Sequence, residues 1–295
     1  MHCCFVLLLL PAILLASGFP IDHVTIAGTN MKQMQAALSS VGIASVYGGA
    51  HTTGATEMAL VSFPDGSYLE LIALGQGASA ASIDENVWAK FLRGDAGPTA
   101  WALREPDMAA EVQRLKTAGV PVSVPERGGR ERPDGVILEW ETSTLGIEAR
   151  GTFFPFLIHD FTPREQRAFL QGKPVSGDFR GVSRVVIAVR DLDAAVKRYR
   201  QAFHLPGVSK QVDRAFGAQL AIMGGTAVVL AQPLSADSEL ARRLGEFGEV
   251  PCAFVLGATG AARYQAASKT RWFGSEISWF DVKKLGWRLG FENVK

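Results

Sequence analysis

Cysteine is scarce in this sequence. Three occur in 295 residues, and Cys3 and Cys4 fall within the first eighteen, which leaves Cys252 alone in the remainder. A lone cysteine closes no intramolecular disulfide, so a disulfide-stapled scaffold is excluded. In the apolar run "PCAFVLG" it reads as a buried core residue. A surplus of charge is also missing: thirty Lys and Arg face twenty-nine Asp and Glu, a formal net charge of +1, and no basic run concentrates the positive charge. Nucleic acid and acidic membrane surfaces are therefore not the expected partners. Several chemical signatures are absent as well: there is no G-x-S-x-G elbow, Walker loop, Rossmann fingerprint, H-E-x-x-H or Cys-rich zinc pattern. "MGGTAVV" has adjacent glycines, but they join two apolar strands as a hairpin turn.

One long apolar run is present, at the N-terminus. "MHCCFVLLLLPAILLASG" contains no Lys, Arg, Asp or Glu, and Ala16 and Gly18 suit the small positions before a cleavage site. Residues 1–18 thus read as an export signal, which predicts a secreted or periplasmic protein with no membrane anchor once the signal is removed. The missing basic n-region and the interrupting Pro11 leave a buried N-terminal helix as the competing reading. The run is shorter than the ~20 residues that span a bilayer.

The rest of the chain repeats one pattern: an apolar strand, a helix opened by Asn or Asp, a Gly turn, then further strands. In "IDHVTIAGTNMKQMQAALSSVGI", Asn30 caps a helix whose Met31, Met34, Leu38 and Val41 fall on one face before Gly42. Asp107 with Met108, Val112 and Leu115, and Asp191 with Leu192, Ala195, Val196, Tyr199 and Phe203, repeat it. A weaker fourth copy starts at "PCAFVLGATGAARYQ". Such a unit does not cover its own sheet, so units should pair. The expected fold is α+β: tandem βαβββ modules paired into two curled mixed-sheet domains, residues 21–160 and 180–295. A polar, Pro- and Gly-punctuated linker over 161–179 joins them.

In "HTTGATEMALVSFPDGSYLELIAL" a single carboxylate, Glu70, interrupts an apolar strand. An unpaired ionised carboxylate loses its hydration there, so a partner is required. The ordered motifs "IDHVTIAG", "HTTGATEMAL", "PDGSYLELIAL", "AWALREPD", "RPDGVILEW" and "FFPFLIHDF" resemble the vicinal oxygen chelate superfamily, in particular its glyoxalase-like branch. Resemblance is strongest over 21–160 and weaker beyond.

The resemblance implies a cleft in each paired unit that holds a divalent metal in many members, with ligands on the first and last strands. Here His23 takes the first-strand position and Glu70 the last-strand position. His51, before a Gly-Thr type turn, completes a His23, His51, Glu70 set or contacts substrate instead. Imidazole and carboxylate suit Zn, Ni, Mn, Fe or Co. With a metal, the implied reaction is of lyase, isomerase or dioxygenase type on a small oxygenated molecule, with Glu70 as ligand or general base. The pattern fails elsewhere. The His23 position becomes Ala100 and Arg184, and the Glu70 position becomes Phe156, Val229 and Gly290, so the usual ligand set is incomplete and the second domain reads as degenerate. It would support the first domain or mediate a homodimer. The incomplete set keeps open a second class of function, a binding protein that sequesters its ligand without turnover.

Trp101, Trp140 and the Arg127, Arg130, Arg132 cluster suit an organic ligand with a carboxylate or phenolate, and Trp101, Arg132 and Trp140 join His51 as expected substrate contacts. "RGGRERPDG" reads equally as a solvated hairpin loop. His159 and Asp160 are neighbours on a strand and point to opposite faces, which favours a structural role. His204 follows a helix and is expected to satisfy its final carbonyls.

Overall fold

The computed structural model describes residues 19–51, 54–259 and 263–294. The expected export signal, residues 1–18, lies outside the described residues. No helix among the described residues is long and apolar enough to cross a membrane.

The first half forms β1 (Ile21–Gly28), α1 (Met31–Ser40), β2 (Val46–Ala50), β3 (Thr56–Ser62), β4 (Tyr68–Leu74), α2 (Ala80–Asp84) and α3 (Ala89–Arg93). Then come β5 (Gly97–Arg104), α4 (Met108–Thr117), β6 (Glu126–Glu131), β7 (Ile137–Thr144), β8 (Phe156–Asp160) and α5 (Arg164–Ala168). The second half repeats the order: β9 (Phe179–Ala188), α6 (Leu192–Phe203), β10 (Val208–Asp213), β11 (Ala218–Met223), β12 (Val228–Pro233) and α7 (Glu239–Phe247). It ends with β13 (Pro251–Ala258), β14 (Ser268–Trp272), β15 (Ser275–Trp279), α8 (Val282–Leu285) and β16 (Arg288–Asn293).

Each half builds one eight-stranded mixed sheet, ordered β2-β3-β4-β1-β5-β8-β7-β6 and β10-β11-β12-β9-β13-β16-β15-β14. These are the two curled α+β sheets that the repeats imply. In each, the central pair is antiparallel, β1 with β5 and β9 with β13, and each member has a parallel partner on its other side. Asn30, Asp107 and Asp191 cap their helices, each side chain accepting from the backbone N–H three residues on. The backbone N–H of His204, in left-handed conformation, closes α6 on Arg200 O.

Alternation along the strands separates two faces. Val24 and Ile26 of β1, Leu69 and Leu71 of β4, and Val185 and Ile187 of β9 join α1, α4 and α6 in one core shared by both sheets. The opposite faces curl inward. Phe91 and Leu92 of α3 close over the first, and Leu240 and Leu244 of α7 over the second. Residues 161–179 are more than a spacer, because α5 sits on the first sheet with Arg167 and Ala168 buried.

Candidate active site

The inward face of the first sheet encloses a cavity of about 230 Å³, and Glu70 lines it. Parallel pairing of β1 with β4 sets His23 opposite Tyr68 and Thr25 opposite Glu70, so alternation aims His23, Tyr68 and Glu70 at one space. Glu70, 7% exposed, has an imidazole on either side: His23 Nε2 is 3.6 Å from Oε2 and His51 Nε2 is 4.0 Å from Oε1. Thr25 Oγ1 donates to Oε2 at 3.4 Å. These are the partners that the apolar strand demands for its acid.

His23 is held from behind by its own neighbour. Pairing of β1 with β5 skips Asp22, which makes a bulge between Ile21 and His23. A bulge turns consecutive side chains toward one side, and His23 Nδ1 lies 2.6 Å from Asp22 Oδ1. Burial pushes the Asp22 pKa up, but Arg167, His23 and Arg164 outweigh it and hold the carboxyl well below the usual carboxylate range. An ionised carboxylate only accepts. The Nδ1 proton therefore belongs to His23, and Nε2 is the ring atom that faces Glu70. The ring is further fixed by stacking on Tyr68 at 4.9 Å and by the edge of Phe156 at 5.3 Å.

Behind Asp22 stands a buried ionic network. Arg167 of α5 donates to both Asp22 oxygens at 2.9 Å and to both Asp160 oxygens at 2.6 and 2.8 Å. Arg164 pairs with Asp22, and Arg167 also donates to the Tyr68 hydroxyl. His159, next to Asp160, bonds instead to Glu105 O at 2.9 Å. Both members of that pair are structural.

His51 Nδ1 lies 2.7 Å from Thr56 Oγ1, which leaves Nε2 toward Glu70. Burial lowers the His51 pKa, Glu70 opposes the shift and Arg130 adds to it, so the ring is neutral at neutral pH. Arg130, on β6 and 4% exposed, lines the cavity and donates from Nη1 to Gly48 O at 2.9 Å. Trp88, Trp140, Phe156 and Ile158 give the remaining wall its aromatic and aliphatic surface.

Of the residues read from sequence, His23, His51, Glu70, Arg130 and Trp140 meet in this cavity. Trp101 and Arg132 do not. Trp101 pairs with Val24, and alternation puts both on the helix side, where Trp101 is wholly buried in the shared core. Arg132 donates to Gln166 O at 2.8 Å and Leu170 O at 2.7 Å, and so ties the β6–β7 hairpin to the α5 segment. Asp22, Tyr68, Trp88 and Arg167 were not apparent from sequence. The signals were an acid beside a strand histidine, and Tyr68 two residues before Glu70 on the same strand.

The glyoxalase-like domain family model matches residues 21–203, more than half of the chain. The chain belongs to the glyoxalase-like domain family. No curated protein matches it. A hypothetical protein from Staphylococcus aureus has a similar structure, with a TM-score of 0.65 at 14% identity, over 93% of this chain and 99% of that one. At that identity the likeness shows the fold alone. A smaller likeness, TM-score 0.35 at 18% identity, links 40% of this chain to 90% of methylmalonyl-CoA epimerase from Mycobacterium tuberculosis.

Within this glyoxalase-like protein the two sheets differ in their interiors. The register that pairs Thr25 with Glu70 recurs as Ala102 with Phe156, Val186 with Val229 and Val255 with Gly290. No other unit places an acid there. In the second sheet Arg184, at the position matching His23, is bound by Glu292 at 2.7 and 2.8 Å, and Phe216, Trp272 and Trp279 pack the interior. Cys252 belongs to the same packing, and burial pushes its thiol pKa up to about 11, which makes it a poor nucleophile.

The donor types in the first cavity fit a divalent ion: two imidazole Nε2 atoms and a carboxylate, with Asp22 behind His23 as carboxylates stand behind metal-bound imidazoles. Among the described residues no three His, Cys, Asp or Glu side chains are already grouped closely enough to hold an ion.

Proposed function

We propose that the first sheet binds and transforms a small oxygenated organic molecule, with Glu70 as the general base. The observation that carries this reading is the convergence of His23 Nε2 and His51 Nε2 on the Glu70 carboxylate inside the cavity of the first sheet. A carboxylate flanked by two oriented imidazoles accepts a substrate proton and passes it on within hydrogen-bond reach once a ligand tightens the geometry. His23, its Nδ1 committed to Asp22, orients substrate through Nε2, and His51, neutral at neutral pH, is a substrate contact on the other side. A cavity of about 230 Å³ falls below the roughly 300–1,000 Å³ typical of drug-sized ligands, which supports a small substrate. The test is turnover, or deuterium exchange next to a carbonyl, across small oxo- and hydroxy-compounds. Wild type should act and Glu70→Gln should not, with the fold of Glu70→Gln intact. A ligand retained without turnover by wild type would replace this reading with the sequestering one.

A divalent ion held by His23, His51 and Glu70 is the second part of the proposal, favoured by the carboxylate behind His23. Zn, Ni, Mn, Fe or Co bound there would supply Lewis-acid polarisation of a carbonyl or of vicinal oxygens, the chemistry of a lyase, isomerase or dioxygenase. Elemental analysis of purified protein decides it. Content near one equivalent that falls in His23→Ala and Glu70→Gln supports the ion, and unchanged content removes it. Export through residues 1–18 completes the proposal, and an N-terminal sequence of protein from the medium or periplasm that begins before residue 18 would overturn it. A homodimer, through the second sheet, is checked by sedimentation.

A further inference from the structure

The cavity of the first sheet is divided by charge. One side carries Glu70 with its two imidazoles, and the other is the aromatic wall in which Trp88 and Phe156 lie 6.4 Å apart, tilted. Three arginines line this space, Arg130, Arg150 and Arg167, and Arg167 is committed to Asp22 and Asp160. Arg150 is occupied, donating to Thr144 Oγ1 at 3.2 Å and Glu126 Oε2 at 2.9 Å. Arg130 is only half occupied: Nη1 reaches Gly48 O, while Nη2 is buried with no hydrogen-bond partner among the described residues. Five other buried side-chain atoms share that condition, on Trp101, Arg104, Arg164, Ser176 and Arg243, and none of those residues lines this cavity.

A buried donor on a cation is costly to leave unmatched, because it has given up its water without gaining an acceptor. Its charge and planar fork favour an anionic oxygen, of a carboxylate or a phosphate, and the small cavity with its aromatic wall favours the planar carboxylate. The aromatic rings of this wall, with Trp88 and Phe156 inclined at 51° to each other, offer a ring face to a planar neighbour.

From this geometry we infer that the cavity takes a small planar carboxylate or enolate. Its anionic oxygen meets Arg130 Nη2, its flat face lies against a ring of the wall formed by Trp88, Trp140 and Phe156, and its reacting proton is turned to Glu70. This identifies the class of ligand and rests on the proposal that the cavity is the substrate site. Arg130 is then the residue that fixes specificity and holds the substrate anion against repulsion from Glu70.

Matched carboxylate and amide probes test it: benzoate with benzamide, and pyruvate with pyruvamide, titrated calorimetrically into the full chain at pH 7.5. Wild type should prefer the carboxylate of at least one pair by roughly tenfold to a hundredfold, the range of a charge-assisted hydrogen bond. Arg130→Met should lose that preference and bind the amide as before. Arg130→Lys, which keeps the charge but not the fork, should retain part of it and provides the readout if Arg130→Met does not fold. Amides bound as tightly as carboxylates by wild type, or a preference that survives in folded Arg130→Met, would overturn the inference and leave the cavity as a substrate site. Absence of binding by all four probes would overturn both.

Discussion

Asp22 and His23 are consecutive on a strand and yet share one side of it, with Oδ1 and Nδ1 2.6 Å apart. The bulge that allows this makes a buried carboxylate the fixed support of the imidazole that faces Glu70. Asp22 is also the carboxylate that Arg164 and Arg167 surround. Site geometry and fold stability therefore meet in one side chain.

Asp22→Asn keeps the shape and removes the charge. The buried Arg167 and the half-buried Arg164 then lose an anion, and the expected loss is about 3–5 kcal/mol of stability. The pH dependence has a definite sign. The folded carboxyl titrates below the ordinary value of about 3.9, so below pH 4 the unfolded chain binds more protons than the folded one. The Asp22 contribution is fully present above that value and is lost as pH falls through the folded pKa. Urea midpoints between pH 3 and 7 should drop more steeply below pH 4 in wild type than in Asp22→Asn. Equal slopes would show that Asp22 is not the group responsible.

Glu70→Gln acts on His51 without touching it. Burial holds the His51 pKa down while Glu70 holds it up, so removing the Glu70 charge should lower it further. Arg130→Met removes a cation and should raise it. Proton NMR of the His51 ring gives both directions directly. In wild type the folded ring resists protonation below its unfolded pKa of about 6.5, so stability attributable to His51 falls from there down to the folded pKa and no further. A ring whose pKa is indifferent to both variants would place His51 away from Glu70 in solution.

Much of this was legible in the chain because it is local. Asn30, Asp107 and Asp191 announce helices by spacing alone, and the apolar strands of each sheet interior read as such. The strands that stay hidden are β2, β6, β10 and β14, and these are the four edges of the two sheets. An edge strand is half solvated and carries charge or glycine where an inner strand carries Val and Leu. "ERGGRE" and "VSKQVD" therefore look like loops. Spacing alone does not choose among Arg127, Arg130 and Arg132 on that edge; the hairpin register, with Arg130 opposite Leu138, does. Glu70 and His23 could be paired from sequence because the repeat aligns their strands. Trp101 was misplaced because apolar character does not tell which face of a strand looks inward.

Arg167→Met should be among the most damaging single changes in the chain. Asp22 is buried and Asp160 half-buried, and both are bound in paired hydrogen bonds by this one side chain. Truncation leaves two anions short of a partner, again a loss of about 3–5 kcal/mol. Lys cannot reproduce the fork and should recover only part of it. The exposed pair Lys269–Glu276, 2.7 Å apart, is the control: Lys269→Met should leave the urea midpoint unchanged, because solvent screens it. Similar effects at both sites would mean that burial is not what gives the α5 network its strength.

The two halves of the chain also meet at glycines where a Cβ would collide with the opposite half, among them Gly97. Gly97, at the start of β5, has φ of +67°, and a Cβ built there would lie 2.8 Å from Cβ of Trp287. Gly97→Ala therefore carries two penalties: about 1–2 kcal/mol for an L-residue in the left-handed region, and about 1–3 kcal/mol for overpacking against a side chain that is itself held in the second half of the chain. Arg243 of α7 crosses the same junction, bonding to Ala96 O at 2.5 Å. The variant should unfold at clearly lower urea. Because the strain sits between the sheets, added Trp287→Ala should restore part of the loss by removing most of the side chain behind the clash, although its own Cβ remains. A double variant less stable than the sum of the two singles would show that the contact with Trp287 is not the source of the strain.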